Sequence, residues 1–178
     1  ATASASLNAD SMADDESSGR VKTREATLNM LGLAAVAVSA GPCDIYGQAG
    51  IECVAAHSTV RALYNDYRGD LFLINRSSDQ AIKRIGVNQA GFADSASQDQ
   101  FCMKADCEIL RIFDQSPHGN HLDTAPGGPF YAREPDRGVN ASRHPLSVGG
   151  HPVYGAYFES GMGYRRDNTS GIAVGDEP

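Results

Sequence analysis

The sequence predicts an all-β sandwich. Three observations carry that reading. Apolar, β-branched and aromatic runs of four to six residues recur after Gly41, each stopped by Gly, Pro, Asn, Asp or Ser. Helical pattern is confined to two pieces, 54–67 and 93–101. Nineteen glycines and eight prolines among 178 residues supply the turns such a fold needs.

The elements follow in order. Residues 1–19 are rich in Ala, Ser, Asp and Glu without periodicity and read as a disordered leader. Residues 20–40 read as a secretory signal peptide. The basic run Arg20-Val-Lys-Thr-Arg24 precedes the apolar run Leu28 to Val38 and then Ser39-Ala40, with cleavage expected after Ala40. The apolar run is too short to span a bilayer. An ordinary core helix is the competing reading. A nineteen-residue stretch, mostly polar, before a signal, and no initiating Met, suggest a displaced or cut start.

From Gly41 onward, a helix is expected over Val54–Tyr67, with Ala, Leu and Tyr on one side. Leu71–Ile74 is a strand between Arg68-Gly-Asp70 and Asn75-Arg-Ser-Ser-Asp79. Ala81–Ile85 is a second strand, ended by Gly86. A short helix is expected over Ala93–Phe101. Glu108–Phe113 is a β-branched strand stopping at Asp114-Gln-Ser-Pro-His-Gly119. Residues 123–150, rich in Pro, Gly and Asp, read as a long loop. Such a loop is usually functional or packs against another element. Val153–Phe158 is the last strand. The end, Gly171 to Pro178, offers no closing strand, so the sandwich is expected to be incomplete in this chain.

Composition narrows the function. Net charge is −7 and the pI is about 5.1. Five acids against three bases fall in the first forty residues. No basic patch of nucleic-acid type is present, and an acidic chain is repelled by phosphate backbones. A neutral polysaccharide partner fits better, with no nucleic acid and no membrane.

Cysteines come as two local pairs, Cys43 with Cys53 and Cys102 with Cys107. Four cysteines allow three connectivities. The local one closes the shortest loops, and each bridge would contribute roughly 2–3 kcal/mol. Spacings of ten and five do not match the closer spacing zinc sites favour. Free buried thiols are the remaining option. Disulfides and a signal agree with a secreted protein. In that setting Asn75, Asn140 and Asn168, each in an Asn-x-Ser/Thr sequon, are candidate glycosylation sites.

The sharpest local motif is Asp114-Gln115-Ser116 through Asn120-His121-Leu122. Asp and Asn bond their own backbone in turns and Gly119 supplies positive φ, so it reads as a structured turn. A Ca²⁺ site on Asp114 and Asn120 is the alternative, with too few oxygens in reach to favour it. A metal pair from His118 and His121 is disfavoured further. Glycosidases need two carboxylates flanking the scissile bond. Asp44, Asp114, Glu159 and Asp176-Glu177 are available, and none sits in a pattern marking it as catalytic. His57-Ser58 forms no preset triad, and neither Gly-x-Ser-x-Gly nor a phosphate-cradling loop is present. There is no Trp to serve as a sugar platform; Tyr46, Tyr64, Tyr67, Tyr131, Tyr154, Tyr157 and Tyr164 read mainly as packing residues.

Several separated features occur together. They are Gly41-Pro-Cys-Asp-Ile-Tyr46, Ala55-Ala-His-Ser-Thr-Val-Arg-Ala-Leu-Tyr64, Phe113 to Leu122, Tyr154-Gly155 and Gly161-Met-Gly-Tyr-Arg165. With the cysteine spacings, they resemble the start of the catalytic domain of the family 54 α-L-arabinofuranosidases. Similar Asp-Gln-Ser turns occur in concanavalin-like sandwiches; this chain departs from that pattern at Pro117 and His118.

The resemblance covers Gly41 to Glu177. It implies a concanavalin- or laminin-G-like jelly roll over 41–178. It also implies a secreted, exo-acting, retaining hydrolase of terminal arabinofuranosyl groups on plant cell-wall arabinan and arabinoxylan. Such a hydrolase acts without a metal or organic cofactor, and a monomer is expected. The family's nucleophilic Glu and acid/base Asp come later in its domain. No position here inherits either role, and this chain alone is expected to be inactive. The family's C-terminal arabinose-binding β-trefoil is absent from the sequence too. The competing function is a non-catalytic, lectin-like carbohydrate-binding sandwich; a gene remnant without function is a weaker third.

Overall fold

The computed structural model describes residues 40–128 and 134–172. The expected leader, nearly all of the expected signal, Tyr131 and Asp176-Glu177 lie outside those residues. The described residues belong to one compact unit, Ala37–Pro178.

That unit is an all-β sandwich. Its elements are α1 (Pro42–Gln48), β1 (Asp70–Arg76), β2 (Ile82–Gly86), α2 (Ser95–Cys102), β3 (Cys107–Ile112), β4 (Leu122–Thr124), β5 (His144–Val148), β6 (His151–Gly155) and β7 (Tyr164–Arg165). One sheet runs β2-β1-β3-β4-β7 with every neighbour antiparallel. The hairpin β5–β6 and helix α2 cover its inner face.

Alternation along the central strands sets that face. Phe72 lies opposite both Ile85 and Ile112, and Ile74 opposite Ile109, so these side chains point one way. They join Leu71, Cys102, Cys107, Val139, Ala141 and Val153 in a single core. The other face carries Leu73 opposite Arg84 and Arg111, and Asn75 opposite Glu108. A β-bulge between Leu73 and Ile74 strengthens the local twist.

Two disulfides tie short elements to the core. Cys43–Cys53 closes α1 onto the following loop, and Cys102–Cys107 spans the turn from α2 to β3. Helix α2 starts where Asp94 Oδ1 accepts the Ser97 N–H at 3.0 Å. Its Gln98 is fully buried and donates to Ala141 O at 2.8 Å and Ser142 Oγ at 3.1 Å.

Two expectations need correction. Val54–Tyr67 is not a helix but an irregular segment held by isolated bridges, His57 to Asp114 and Arg61 to Phe92. Its backbone donors go to distant acceptors. Ala56 N–H reaches the Asp114 carboxylate at 2.7 Å and Leu63 N–H reaches Gln115 Oε1 at 2.7 Å. Ser58 Oγ takes the N–H groups of Val60 and Arg61.

The 123–150 region is also not a structureless loop. It holds the end of β4 and all of β5. Gly149 and Gly150 both have positive φ, at 58° and 81°, and turn β5 into β6. β1, β2, β3 and α2 lie where the sequence placed them, to within a few residues, whereas α1 and β7 were not expected. The strand expected over Val153–Phe158 is β6, which starts earlier, at His151, and ends at Gly155.

Candidate functional site

The polar centre of the fold is Asp114, at the end of β3. Its side chain is buried, as are those of Gln115, Ser116 and Asn120. Each carboxylate oxygen accepts two hydrogen bonds. Oδ1 takes Ala56 N–H at 2.7 Å and Ser116 N–H at 2.9 Å. Oδ2 takes Ser116 Oγ–H at 2.6 Å and Asn120 N–H at 2.8 Å.

Burial alone would raise the Asp114 carboxyl. The Ser116 hydroxyl and the three backbone N–H groups outweigh it and hold the group below its ordinary value. The four donors occupy the lone-pair directions that a cation would need. Among the described residues, no group of three or more His, Cys, Asp and Glu is placed to hold a metal.

The rest of the turn is equally committed. Asp114 N–H donates to His121 Nδ1 at 3.0 Å, so that nitrogen is unprotonated. Burial, then the nearby Arg111 charge, push His121 below the usual histidine value. Asn120 donates to Val54 O at 2.9 Å and Ser170 O at 2.8 Å, and its Oδ1 accepts Ser170 N–H at 2.8 Å. His57 Nε2 meets Asn120 O at 2.7 Å, far from any nucleophile role. Gly119 sits at φ 68°. The motif is thus a scaffold that ties 54–57, 114–121 and 170 together.

The other early carboxylate, Asp44, is a helix-start residue. Its Oδ2 accepts Gly41 N–H at 2.7 Å and Asn65 N–H at 2.7 Å. Among the described residues two of the candidate carboxylates line open cavities: Asp44 a shallow one of about 480 Å³ beside the Cys43–Cys53 bridge, and Glu159 one of about 400 Å³. The Glu159 cavity crosses the outer face of the sheet between the start of β3 and segment 137–143.

Glu159 forms an ion pair there with Arg143. Asp106, Glu108 and Arg137 share the lining. Asn140 Nδ2 donates to Asp106 Oδ1 at 3.1 Å. Asn75 donates to Gln80 Oε1 at 3.0 Å, while its own Oδ1 is buried with no partner among the described residues. A buried acceptor left open at a cavity wall suits a hydroxyl-bearing ligand. The cleft offers carboxylates, amides and guanidinium groups for such hydroxyls and no aromatic platform.

Sequence reasoning missed Asp106 and Glu108. No local pattern marks either one. They reach the cleft because β3 pairs with β1 and because Glu108 bridges to Asn140. The three sequon asparagines are placed differently: Asn75 and Asn140 are half-buried at the cleft, and Asn168 is exposed.

Tyr164 shows how the cleft floor is held. Its hydroxyl donates to Ile109 O at 2.7 Å and accepts Val139 N–H at 2.8 Å. Burial pushes its pKa up to about 12. Gly138 passes so close to the Ile109 carbonyl that a Cβ there would collide with it.

Residues 42–178 match the family model described as "Alpha-L-arabinofuranosidase B, catalytic". The chain is 46% identical over 153 residues to a probable α-L-arabinofuranosidase B of Aspergillus flavus, covering 83% of this chain and 30% of the relative. It is 45% identical over 152 residues to an α-L-arabinofuranosidase B of Aspergillus niger, with the same coverage of 83% and 30%.

Among solved structures it superposes on an arabinofuranosidase complexed with arabinofuranosyl-α-1,2-xylobiose. The TM-score is 0.73 at 42% identity, covering 77% of this chain and 29% of that one. A GH54 α-L-arabinofuranosidase soaked with a cyclic sulfate inhibitor matches equally, with a TM-score of 0.73. The chain therefore spans about 30% of the length of the curated relatives it matches.

Proposed function

Since the chain belongs to the α-L-arabinofuranosidase B catalytic family, a family of glycoside hydrolases, we propose that it is the N-terminal part of a secreted, exo-acting α-L-arabinofuranosidase. The whole enzyme releases terminal arabinofuranosyl groups from arabinan and arabinoxylan with retention of configuration. The observation that carries this reading is the family match over 42–178. The solved relative holding arabinofuranosyl-α-1,2-xylobiose supports an arabinosylated xylan as the substrate class.

Retention needs two carboxyl groups close together, one attacking the anomeric carbon and one protonating the leaving oxygen. Asp44 and Asp114 are engaged by backbone donors, and Glu159 is paired with Arg143. We assign neither role to a residue of this chain. Its part is to build the sheet and the cleft. Secretion is supported by the two disulfides. Of the three sequons we favour Asn168 for glycosylation, because its side chain alone among them is exposed.

The test is turnover of an aryl α-L-arabinofuranoside. The 178-residue chain should show none, while a protein extended to the length of the relatives should hydrolyse it. Turnover by the 178-residue chain alone would overturn the assignment of the carboxylates elsewhere. The second reading, a lectin-like binding sandwich, is favoured by one observation: the unpartnered Asn75 Oδ1 in a cleft of hydrogen-bonding groups. It gains if the extended protein binds the arabinosylated oligosaccharide without cleaving it.

A further inference from the structure

A second concavity, of about 310 Å³, lies between segment 61–68 and the turn at 88–92. That volume is at the lower end of those that hold small ligands. Its walls are built rather than incidental. Ala62 N–H donates to Gly91 O at 2.7 Å, and Arg61 and Phe92 face each other across an antiparallel bridge. Asn88 Oδ1 accepts the N–H groups of Ala90 at 2.9 Å and Phe92 at 3.1 Å, and Gly91 closes the turn at φ 80°. Phe92 is stacked on His151, with ring centroids 4.2 Å apart.

The charge of this groove opposes that of the chain. Arg61 and Arg68 both line it, and no carboxylate does. Among the described residues neither guanidinium has an ion-pair partner; Arg137 and Arg166 also lack one, while Arg76, Arg84, Arg111, Arg143 and Arg165 each have one. Backbone carbonyls orient them instead. Arg61 Nε donates to Ala62 O at 3.1 Å, and Arg68 Nη1 donates to Asn65 O and Tyr67 O, each at 2.8 Å. Their remaining N–H groups have no acceptor among the described residues. Asp44, which touches the lining residues Gly41 and Asn65, has its Oδ2 occupied by their two backbone N–H donors. Tyr64, Asn65 and Gln89 add a ring and two amides to the lining.

We propose that this groove binds a carboxylate-bearing sugar, a uronosyl unit of an acidic polysaccharide. The planar guanidinium is matched to a carboxylate, and the amides and rings are matched to the sugar's hydroxyls and apolar face. The net charge of −7 repels a dense polyanion at long range. The groove thus selects isolated uronosyl units on an otherwise neutral chain. The proposal rests on the polysaccharide reading and extends it, by giving the protein a contact with the polymer away from the arabinofuranosyl group.

The experiment is calorimetric titration of the full chain with a uronate trisaccharide, its carboxyl-reduced neutral counterpart and inorganic phosphate, at low and high salt. The uronate should bind at least about tenfold more tightly than the neutral sugar, with affinity falling at high salt. The double variant Arg61→Gln/Arg68→Gln should lose about tenfold or more of uronate affinity with its thermal unfolding unchanged. Should the double variant misfold, Arg68→Gln alone, at an exposed position, decides the matter. Equal binding of the neutral sugar, phosphate matching the uronate, or unaltered affinity in the variants would each overturn the proposal. Hydrolysis of an aryl arabinofuranoside by the extended protein is read separately, so failure of the groove and failure of the enzymatic reading are distinguishable.

Discussion

Asp114→Asn is the sharpest probe of the scaffold. The wild-type carboxylate accepts four hydrogen bonds, two on each oxygen. Asparagine keeps one oxygen for Ala56 N–H and Ser116 N–H. It sets an NH₂ where Oδ2 stood. The Ser116 hydroxyl can rotate to accept from that NH₂, but the Asn120 N–H then faces a donor. Stranding a buried N–H costs about 1–3 kcal/mol, and turning two charge-assisted bonds into neutral ones costs about 1 kcal/mol each. The expected loss is about 3–5 kcal/mol, or roughly 10–15 °C in Tm for a domain of this size.

Urea and thermal unfolding measure it directly, and pH supplies the control. The Asp114 carboxyl is held below its unfolded value, so its stabilisation is complete above that value and is lost as pH falls through the folded one. The gap between wild type and Asp114→Asn should therefore be full at pH 7 and narrow in acid below the ordinary carboxylate range. A variant as stable as wild type at neutral pH, or a gap that does not narrow in acid, would refute the reasoning.

Two further outcomes are expected. His121 must stay neutral to accept from Asp114 N–H, and burial holds its folded value below the ordinary, unfolded histidine value. Its contribution is complete above that unfolded value and fades as pH drops through the folded one. His121→Phe should flatten the dependence of the urea midpoint on pH in that window. Tyr164→Phe strands the Ile109 carbonyl and the Val139 N–H together, and should cost about 2–4 kcal/mol in urea unfolding without altering the slope.

Local patterns carried much of the fold. β1, β2 and β3 are legible because β-branched and aromatic runs are stopped by turn residues. α2 is legible as a short piece over 93–101, and the structure adds its Asp94 cap. The Asp114–Leu122 turn is legible because Asp, Asn and Gly each have a local reason to be there. The Ala and Leu content of segment 54–67 favours a helix, yet the N–H groups of Ala56 and Leu63 are taken by Asp114 and Gln115, more than fifty residues away. β5 was hidden by Pro145 and Ser147 inside a loop-like composition, and only pairing with β6 through Gly149-Gly150 makes it a strand.

The candidate sites divide the same way. The sequence by itself determined the all-β class and the Asp114–Leu122 turn, because each rests on residues close together in the chain, and the family, because several such local motifs recur in one order along it. Only the tertiary structure decided that Asp114 is a scaffold and not a reactive acid, that Asp106, Glu108 and Glu159 share one cleft, and that Arg61 and Arg68 share a groove with the 88–92 turn. Those groupings join distant segments, and hydrogen bonding and burial between them exist only once the sheet has formed.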